Sequence, residues 1–250
     1  MADTHYKRRR SSFVCINRRW SKVFAARFPR LCYEGDYTAE FLRILRTEIG
    51  QRRHPRILEV GGSDRPQLER DKAYTYHGMD IDNRPVCLDK YDAYHCQPVE
   101  QAFSARYDIV FSMTLLEHIR DNTMALASIF SGLNPGGVTV HYVPSKWHPY
   151  SIATRCVGHR LQKVLIKLLR PGTESVTGYP AFYNRCSKAA MEQLLNALGF
   201  RDINIRCYYG ASDYFAWCFP LFLAVCLFNR VCGVLGLTTC ASGMIIVARK

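Results

Sequence analysis

Residues 56–64, with the sequence R-I-L-E-V-G-G-S-D, decide the fold of this chain. Their apolar part, I-L-E-V at 57–60, has the length and composition of a buried parallel strand. Gly61 and Gly62 follow immediately, and they allow the backbone to turn sharply and to approach a ligand without a Cβ in the way. The stretch therefore predicts a strand that ends in a ligand-binding turn.

A glycine turn alone does not identify the ligand. Glu59 lies within the apolar run, where a carboxylate is costly unless it has a hydrogen-bonding partner. A nicotinamide dinucleotide site requires G-x-G-x-x-G after the strand, whereas residues 61–66 read G-G-S-D-R-P. Two interpretations stay open at this point: a plain strand that ends in a turn, and a nucleoside-binding α/β domain of another kind.

The composition describes a basic, cysteine-rich globular chain. Its 250 residues suffice for one domain with insertions. The formal charge of +13 indicates an anionic partner, either a membrane surface or a nucleic acid. The 11 cysteines are scattered and form no C-x-x-C pair, which argues against a zinc site and a disulfide framework. We expect no metal, reduced thiols in a cytosol-like compartment, and no secretory signal.

Five further segments carry strand patterns: 74–81, 107–112, 138–143, 202–209 and 243–248. Asp80 stands where a second parallel strand would end, and a carboxylate there can accept two hydrogen bonds from the vicinal hydroxyls of a ribose. Asp82 is the adjacent alternative, although a solvated loop acid is its favoured interpretation. Residues 86–98 show no clear pattern, and within them Asp92 is our candidate for a contact with an adenine amino group.

The segment S-M-T-L-L-E-H-I at 112–119 follows the strand pattern of 107–112. Ligands of open α/β sheets bind at the carboxyl ends of the strands. The residues expected to line the site are therefore Ser112, Met113, Thr114 and Leu115. For Glu117 and His118 two interpretations remain: a functional role, or simply the beginning of a helix, with the structural role favoured for His118.

Four motifs together carry a family resemblance. They are I-L-E-V-G-G at 57–62, G-M-D-I-D at 78–82, Y-D-I-V-F-S-M-T-L-L-E-H-I at 107–119 and L-N-P-G-G-V at 133–138. In this order and spacing they resemble the class I S-adenosylmethionine-dependent methyltransferases, and most closely the group called type 11. The resemblance covers about 56–143 and resumes at 186–209. It implies an α/β fold with a doubly wound, mostly parallel seven-stranded sheet, the Rossmann-like methyltransferase fold, with insertions.

The resemblance also implies S-adenosyl-L-methionine as the cofactor and assigns roles in binding it. The methionine moiety and sulfonium region would be held by Glu59, Gly61 and Gly62. The ribose hydroxyls would bind Asp80, adenine would pack on Ile81, and Ser112, Met113, Thr114 and Leu115 would border the cofactor and the substrate. The family often shows G-x-G-x-G in its first motif, whereas here Ser63 and Asp64 follow the glycine pair.

Three segments depart from a minimal fold of this kind. Residues 1–35 form a basic amphipathic extension, with a helix expected at 13–28 that either lies on an anionic membrane or packs on the domain. Residues 36–250 form the methyltransferase domain. It carries a substrate or lid insertion at 144–185, with a helix expected at 159–169, and a hydrophobic insertion at 213–240.

The apolar run of the second insertion, 215–237, is short for a transmembrane span and contains Pro220. An interfacial or re-entrant segment is one interpretation, and a buried hairpin or dimer interface is the other. The candidate general bases are His118, His141 and His148, because a neutral imidazole is available near pH 7. The candidate substrate contacts are Tyr179 and Tyr183.

We therefore expect methyl transfer, preferably to a hydroxyl of a small-molecule, lipid or lipid-linked glycan acceptor, by a cytoplasmic enzyme attached peripherally to an anionic membrane. RNA methylation is the second hypothesis, but nucleic acid is the less favoured partner because no aromatic-basic RNA-binding module is visible. The third hypothesis is a non-catalytic interaction module with the same fold. The sequence predicts no oligomeric state.

Overall fold

The computed structural model describes residues 12–32, 36–83, 85–157 and 179–250, so the helix expected at 159–169 lies outside the described residues. The helices are α1 (Ser12–Arg27), α2 (Pro29–Cys32), α3 (Tyr37–Gly50), α4 (Asn122–Gly132), α5 (Pro149–Val157), α6 (Lys188–Ala197) and α7 (Phe219–Val234). The strands are β1 (Arg56–Val60), β2 (Thr75–Asp80), β3 (Ala93–Cys96), β4 (Tyr107–Met113), β5 (Leu133–Pro144), β6 (Arg201–Tyr208) and β7 (Gly243–Arg249).

The strands form one seven-stranded sheet in the order β3-β2-β1-β4-β5-β7-β6. The first five in this order are parallel, whereas β7 runs antiparallel to both of its neighbours. The strand order reverses direction between β1 and β4, which places a topological switch point there. The predicted doubly wound, mostly parallel seven-stranded fold is confirmed.

Two strands differ from the sequence prediction. The four residues of β3 had no strand pattern, because they are only half-buried or exposed and show no apolar alternation. Strand β5 begins at Leu133, five residues before the predicted start at Val138. An irregularity in its register with β4, between Tyr107 and Ile109, allows this early pairing.

The sheet is covered on both faces. One apolar cluster joins the strands to α4 and α6 through residues such as Leu126, Ile129 and Leu195. The other joins the strands to α3 through Phe41 and Leu45. Because both faces are buried, β1 and β4 read as continuous apolar runs rather than alternating ones.

The N-terminal extension packs against the hydrophobic insertion. Ala25 of α1 and Cys32 of α2 share a buried cluster with Phe222 and Cys226 of α7. Polar contacts support this packing, since the Phe219 N–H donates to Asn17 Oδ1 at 2.7 Å. In the described part of the chain, no helix is long and apolar enough to cross a membrane.

Candidate functional site

The carboxyl ends of β2, β1 and β4 lie side by side in the sheet. The glycine turn follows β1, Asp80 ends β2, and Met113 ends β4. The strand order therefore brings three of the predicted motifs to one edge, at the switch point where ligands of such sheets bind.

The glycine turn is shaped by positive backbone angles and close packing. Gly61 has φ +84°, and a Cβ placed there would lie 2.9 Å from Leu115 Cδ1. A Cβ on Gly62 would lie 2.7 Å from Glu59 Oε1. Both positions therefore require glycine, and the turn packs directly on the loop after β4.

Glu59 lies beneath this turn and is buried. Its carboxylate accepts hydrogen bonds from the Tyr76 and Tyr91 hydroxyls and from the Gln67 N–H, the last at 3.2 Å. Burial raises the pKa of Glu59 to about 7, although these donors oppose the shift. Glu59 therefore fixes the loop that follows β1. The three donors are the hydrogen-bonding partners that a carboxylate within an apolar run requires.

Asp80 and Ile81 form the second part of the edge. Asp80 Oδ1 accepts the N–H of Asp82 at 3.1 Å, which holds the carboxylate at the end of β2. The Tyr94 hydroxyl donates to the Asp82 carbonyl at 2.6 Å and fixes the same loop. The Ile81 side chain is 58% exposed beside this carboxylate. An acid next to an exposed apolar side chain fits a ribose and an adenine ring.

The structure corrects the placement of Asp92. This residue precedes β3, and its carboxylate accepts hydrogen bonds from the Tyr76 N–H and the Arg70 guanidinium, both at 2.8 Å. Tyr76 is near the beginning of β2, so Asp92 lies at the amino end of these parallel strands. It is therefore far from the edge that carries Asp80, and it does not join the other predicted cofactor residues.

Ser112 and His141 lie near the carboxyl ends of their strands, but their side chains are not exposed at the edge. Both are fully buried in adjacent strands, and Ser112 Oγ is 2.7 Å from His141 Nδ1. Thr139 Oγ1 lies 2.5 Å from His141 Nε2, so the second ring nitrogen is also engaged. Burial lowers the pKa of His141 to about 3, which keeps the imidazole neutral. The pair stabilises the sheet interior instead of facing a ligand.

His148 has a structural environment too. Its Nδ1 accepts the Tyr150 N–H at 3.2 Å, and its Nε2 lies 3.0 Å from Asn229 Oδ1. The side chain is 1% exposed, and burial lowers its pKa. Neither ring nitrogen is directed towards the open edge, so His148 joins the insertion at 144–185 to α7.

His118 is the candidate base that lies at the edge. It belongs to a short 3₁₀ turn, Leu116–His118, just beyond β4. Its Nδ1 is 3.0 Å from the Pro180 carbonyl, and its ring lies 6.3 Å from that of Tyr179. The Tyr183 N–H donates to the Glu117 carbonyl at 3.0 Å. These contacts bring the two predicted substrate tyrosines to the loop after β4.

Thr114 and Leu115 follow β4 at the same edge of the sheet. Thr114 is exposed and has φ +55°, a backbone angle that non-glycine residues adopt rarely and often at functional sites. Its N–H donates to the Tyr142 carbonyl at 3.0 Å, which ties the loop to β5. Leu115 contacts the glycine turn as described above. The sequence did not single out Tyr76, Tyr91 or Tyr142, since a tyrosine in a strand carries no signal of a supporting role.

Comparisons with known proteins agree with this architecture. Residues 30–205 match the family described as a methyltransferase domain. No curated protein sequence matches the chain. Phosphoethanolamine N-methyltransferase 2 from Haemonchus contortus, in complex with S-adenosyl-L-methionine, has a TM-score of 0.53 at 15% identity, with 85% of this chain and 52% of that chain covered.

Two further structures give similar values. The same Haemonchus enzyme, with phosphomonomethylethanolamine and S-adenosylhomocysteine, has a TM-score of 0.52 at 15% identity and covers 85% and 53% of the two chains. A possible exported protein from Bordetella parapertussis has a TM-score of 0.50 at 16% identity and covers 85% and 66%. This chain thus spans about half the length of the Haemonchus enzyme, and at these identities the likeness shows the fold. Because the family match extends over most of the chain, the chain belongs to the methyltransferase-domain family, and its seven-stranded sheet is that of the class I, S-adenosylmethionine-dependent enzymes.

Proposed function

We propose that this methyltransferase uses S-adenosyl-L-methionine to methylate a hydroxyl of a small-molecule, lipid or lipid-linked glycan acceptor at an anionic membrane surface. The complexes of the Haemonchus enzyme with S-adenosyl-L-methionine and S-adenosylhomocysteine support the cofactor. The edge residues fit it: Gly61 and Gly62 would face the methionine moiety, Asp80 the ribose and Ile81 the adenine. When bound, the cofactor supplies a methyl group that its sulfonium activates for displacement.

The protein's own contribution is to orient the acceptor and to exclude water. The segment at 179–186 packs over the loop after β4 through the Phe182 and Tyr183 N–H groups, which donate to the Glu117 carbonyl at 2.7 and 3.0 Å. The complex of the Haemonchus enzyme with phosphomonomethylethanolamine supports an acceptor, or an acceptor head group, of small size.

The membrane part of the proposal rests on one observation, the exposed apolar surface of α1. One face of helix α1 is buried: Ala25 packs against α7, and Ser21 Oγ donates to the carbonyl of Ala216, three residues before α7, at 3.2 Å. A second face stays exposed, and it carries the large apolar side chains Phe13, Ile16, Trp20 and Val23. Arg19 and Lys22 are exposed on the same helix. An apolar stripe flanked by cations is the surface that binds an anionic bilayer.

Helix α7 carries a matching stripe. Its exposed apolar residues recur at intervals of three and four and are Leu221, Ala224, Leu227, Val231 and Val234. Residues 13–28 and 221–237 together hold more than half of the large apolar side chains that are exposed in the described part of the chain. The rings of Trp20 and Phe219 lie 6.4 Å apart, so α1 meets α7 beside both stripes.

The location of α7 supports a lipid-borne acceptor. Asn229 lies on the buried face of α7 and contacts His148. His148 follows the last residue of β5 by four positions. The helix is therefore attached close to the carboxyl edge of the sheet. We propose peripheral attachment on the cytoplasmic side, with the site opening towards the lipid surface.

An untargeted labelling experiment tests this function. The protein is incubated with methyl-labelled S-adenosylmethionine and a cell lysate, which is then separated into lipid, glycan, RNA and protein fractions. We expect the label in the lipid fraction, stable to the mild alkali that cleaves methyl esters. Label confined to RNA or to protein would contradict the proposed acceptor class.

A further inference from the structure

Glu117 is a buried carboxyl group in the loop that follows β4. Its side chain is 3% exposed, and it lies in the turn between Leu116 and His118 at the carboxyl edge of the sheet. Oε1 lies 3.8 Å from His118 Nε2, which is beyond hydrogen-bonding distance. Oε2 is buried and has no hydrogen-bond partner among the described residues. A buried polar atom without a partner is costly, so its persistence calls for a ligand or a chemical role.

The surroundings of Glu117 place it between the two sides of the candidate site. Burial raises the pKa of Tyr142 near the end of β5, and the charges of Tyr37, Tyr214 and then Glu117 add to this shift. Burial and, to a smaller extent, the charge of Glu117 also raise the pKa of Tyr183. Cys186 responds to burial and to Glu117 in the same direction. Tyr142, Tyr183, Cys186 and His118 are therefore titratable side chains of the described residues that interact with Glu117.

We propose that Glu117 binds the nucleophilic hydroxyl of the acceptor through its unpartnered oxygen and takes the proton of that hydroxyl. This inference rests on the proposed function and names the residue that would carry its proton transfer. The acceptor O–H bond breaks, its proton passes to the Glu117 carboxylate, and the acceptor oxygen forms a bond to the methyl group that the bound cofactor supplies. The electron pair of the broken S–CH₃ bond stays on sulfur, as neutral S-adenosylhomocysteine.

The neighbouring groups are poorer proton acceptors. Burial raises the pKa values of Tyr142, Tyr183 and Cys186 above their ordinary values, so these groups stay protonated near neutral pH. Burial also raises the pKa of Glu117, to about 8, which is a suitable value for a general base that works at slightly alkaline pH. His118, held by Pro180, lies beside Glu117 Oε1 on the more exposed side of the pair.

The test compares Glu117→Gln with Glu192→Gln, the same change on an exposed residue of α6. Each full-length protein receives methyl-labelled S-adenosylmethionine and lysate, and the total label transferred to all fractions is counted between pH 6 and 9. We expect Glu117→Gln to transfer label about a hundredfold more slowly than the wild type and Glu192→Gln to transfer it at the wild-type rate. Both should bind S-adenosylhomocysteine as tightly as the wild type in calorimetry. The wild-type rate should rise through pH of about 8.

An infrared titration gives a readout that needs no acceptor. The spectrum of the wild type minus that of Glu117→Gln should show the C=O stretch of a protonated carboxyl at pH 6, and this band should disappear as the pH rises through about 8. A Glu117 carboxyl that stays protonated up to pH 9 overturns the inference, because it cannot accept a proton, as does equal transfer by the wild type and Glu117→Gln. If no fraction gains label, the infrared titration decides alone. Label that depends on Glu117 but is confined to the RNA or protein fraction contradicts the proposed function while it supports the role of Glu117.

Discussion

His148 Nε2 donates a hydrogen bond to Asn229 Oδ1 at 3.0 Å, within the protein interior. The tautomer is fixed because His148 Nδ1 accepts the Tyr150 N–H. Asn229 Nδ2 in turn donates to the Gly210 carbonyl. Through these hydrogen bonds, Asn229 of α7 is joined both to the segment after β5 and to the segment after β6. The two insertions are held together here by polar groups, although α7 is the most apolar of the described helices.

This contact predicts a stability effect. Asn229→Ala leaves His148 Nε2 and the Gly210 carbonyl without their partner, and we expect a loss of about 1–3 kcal/mol in the free energy of unfolding. Urea denaturation measures it. Asn196→Ala is the matched control, because Asn196 is exposed and bonds only within its own helix. Equal effects of the two substitutions would mean that the His148–Asn229 contact contributes nothing specific.

Asp80 predicts a binding effect. A carboxylate that accepts two ribose hydroxyls makes charge-assisted hydrogen bonds of about 1.5–3 kcal/mol each. Asp80→Ala should therefore weaken S-adenosylhomocysteine binding at least about tenfold without unfolding the domain, as calorimetry and the melting temperature would show. Asp89→Ala, at an exposed loop position between β2 and β3, is the control that should bind normally. Unchanged affinity in Asp80→Ala would remove Asp80 from the site.

Glu117 predicts a pH dependence of stability that is separate from catalysis. Burial raises the pKa of its carboxyl from 4.5 to about 8, so between these values the native state binds a proton that the unfolded state releases. The stabilisation that this bound proton gives the native state is fully present below a pH of about 4.5 and is lost as the pH rises through about 8. The side chain introduced by Glu117→Gln does not titrate. The unfolding free energy of this variant minus that of the wild type should therefore increase from pH 5 to 8.5. The gain is at most about 1.4 kcal/mol per pH unit.

Urea denaturation at several pH values measures this difference. Comparing the two proteins at each pH matters because burial also raises the pKa of Glu59, to about 7, and that contribution is common to both. A constant difference between the two proteins from pH 5 to 8.5 would show that Glu117 has the same pKa in the folded and unfolded states.

The fold was predictable because its signals are local. The run at 57–60 with its glycine pair, and the run at 107–112, are buried on both faces and therefore read as strands without any knowledge of their neighbours. Strand β3 could not be read this way, because its four residues are recognisable only through their pairing with β2. The start of β5 likewise depends on a register irregularity opposite Tyr107.

The site was predictable only where chain position determines it. Asp80 and Leu115 follow from the rule that ligands bind at the carboxyl ends of strands. The partners of Glu59 lie 17 and 32 residues away, at Tyr76 and Tyr91, and only the tertiary fold brings them together. No sequence feature distinguishes His141 and His148, which have structural roles, from His118. The packing of α1 on α7 joins residues 202 positions apart, such as Asn17 and Phe219, which no sequence pattern indicates.

The exposed stripe of α1 predicts membrane binding that depends on charge and on Trp20. The side chain of Trp20 is 59% exposed, and burying a large apolar side chain in a bilayer contributes about 1.5–3 kcal/mol. Cations near an anionic surface add about 1 kcal/mol each. The wild type should co-sediment with vesicles that contain phosphatidylserine, more weakly with neutral vesicles, and less at high salt. Trp20→Glu should lower the partition coefficient at least about tenfold.

Leu88→Glu is the matched control, because Leu88 is 64% exposed and lies in the loop between β2 and β3. It introduces the same charge at an equally exposed apolar position outside the α1 and α7 stripes, so its vesicle binding should equal that of the wild type. Both variants should bind S-adenosylhomocysteine normally, since neither residue belongs to the edge with Gly61 and Asp80. If the wild type stays in the supernatant with anionic vesicles at low salt, the stripes do not bind lipid, and a protein partner becomes the better explanation for two exposed apolar faces beside one another.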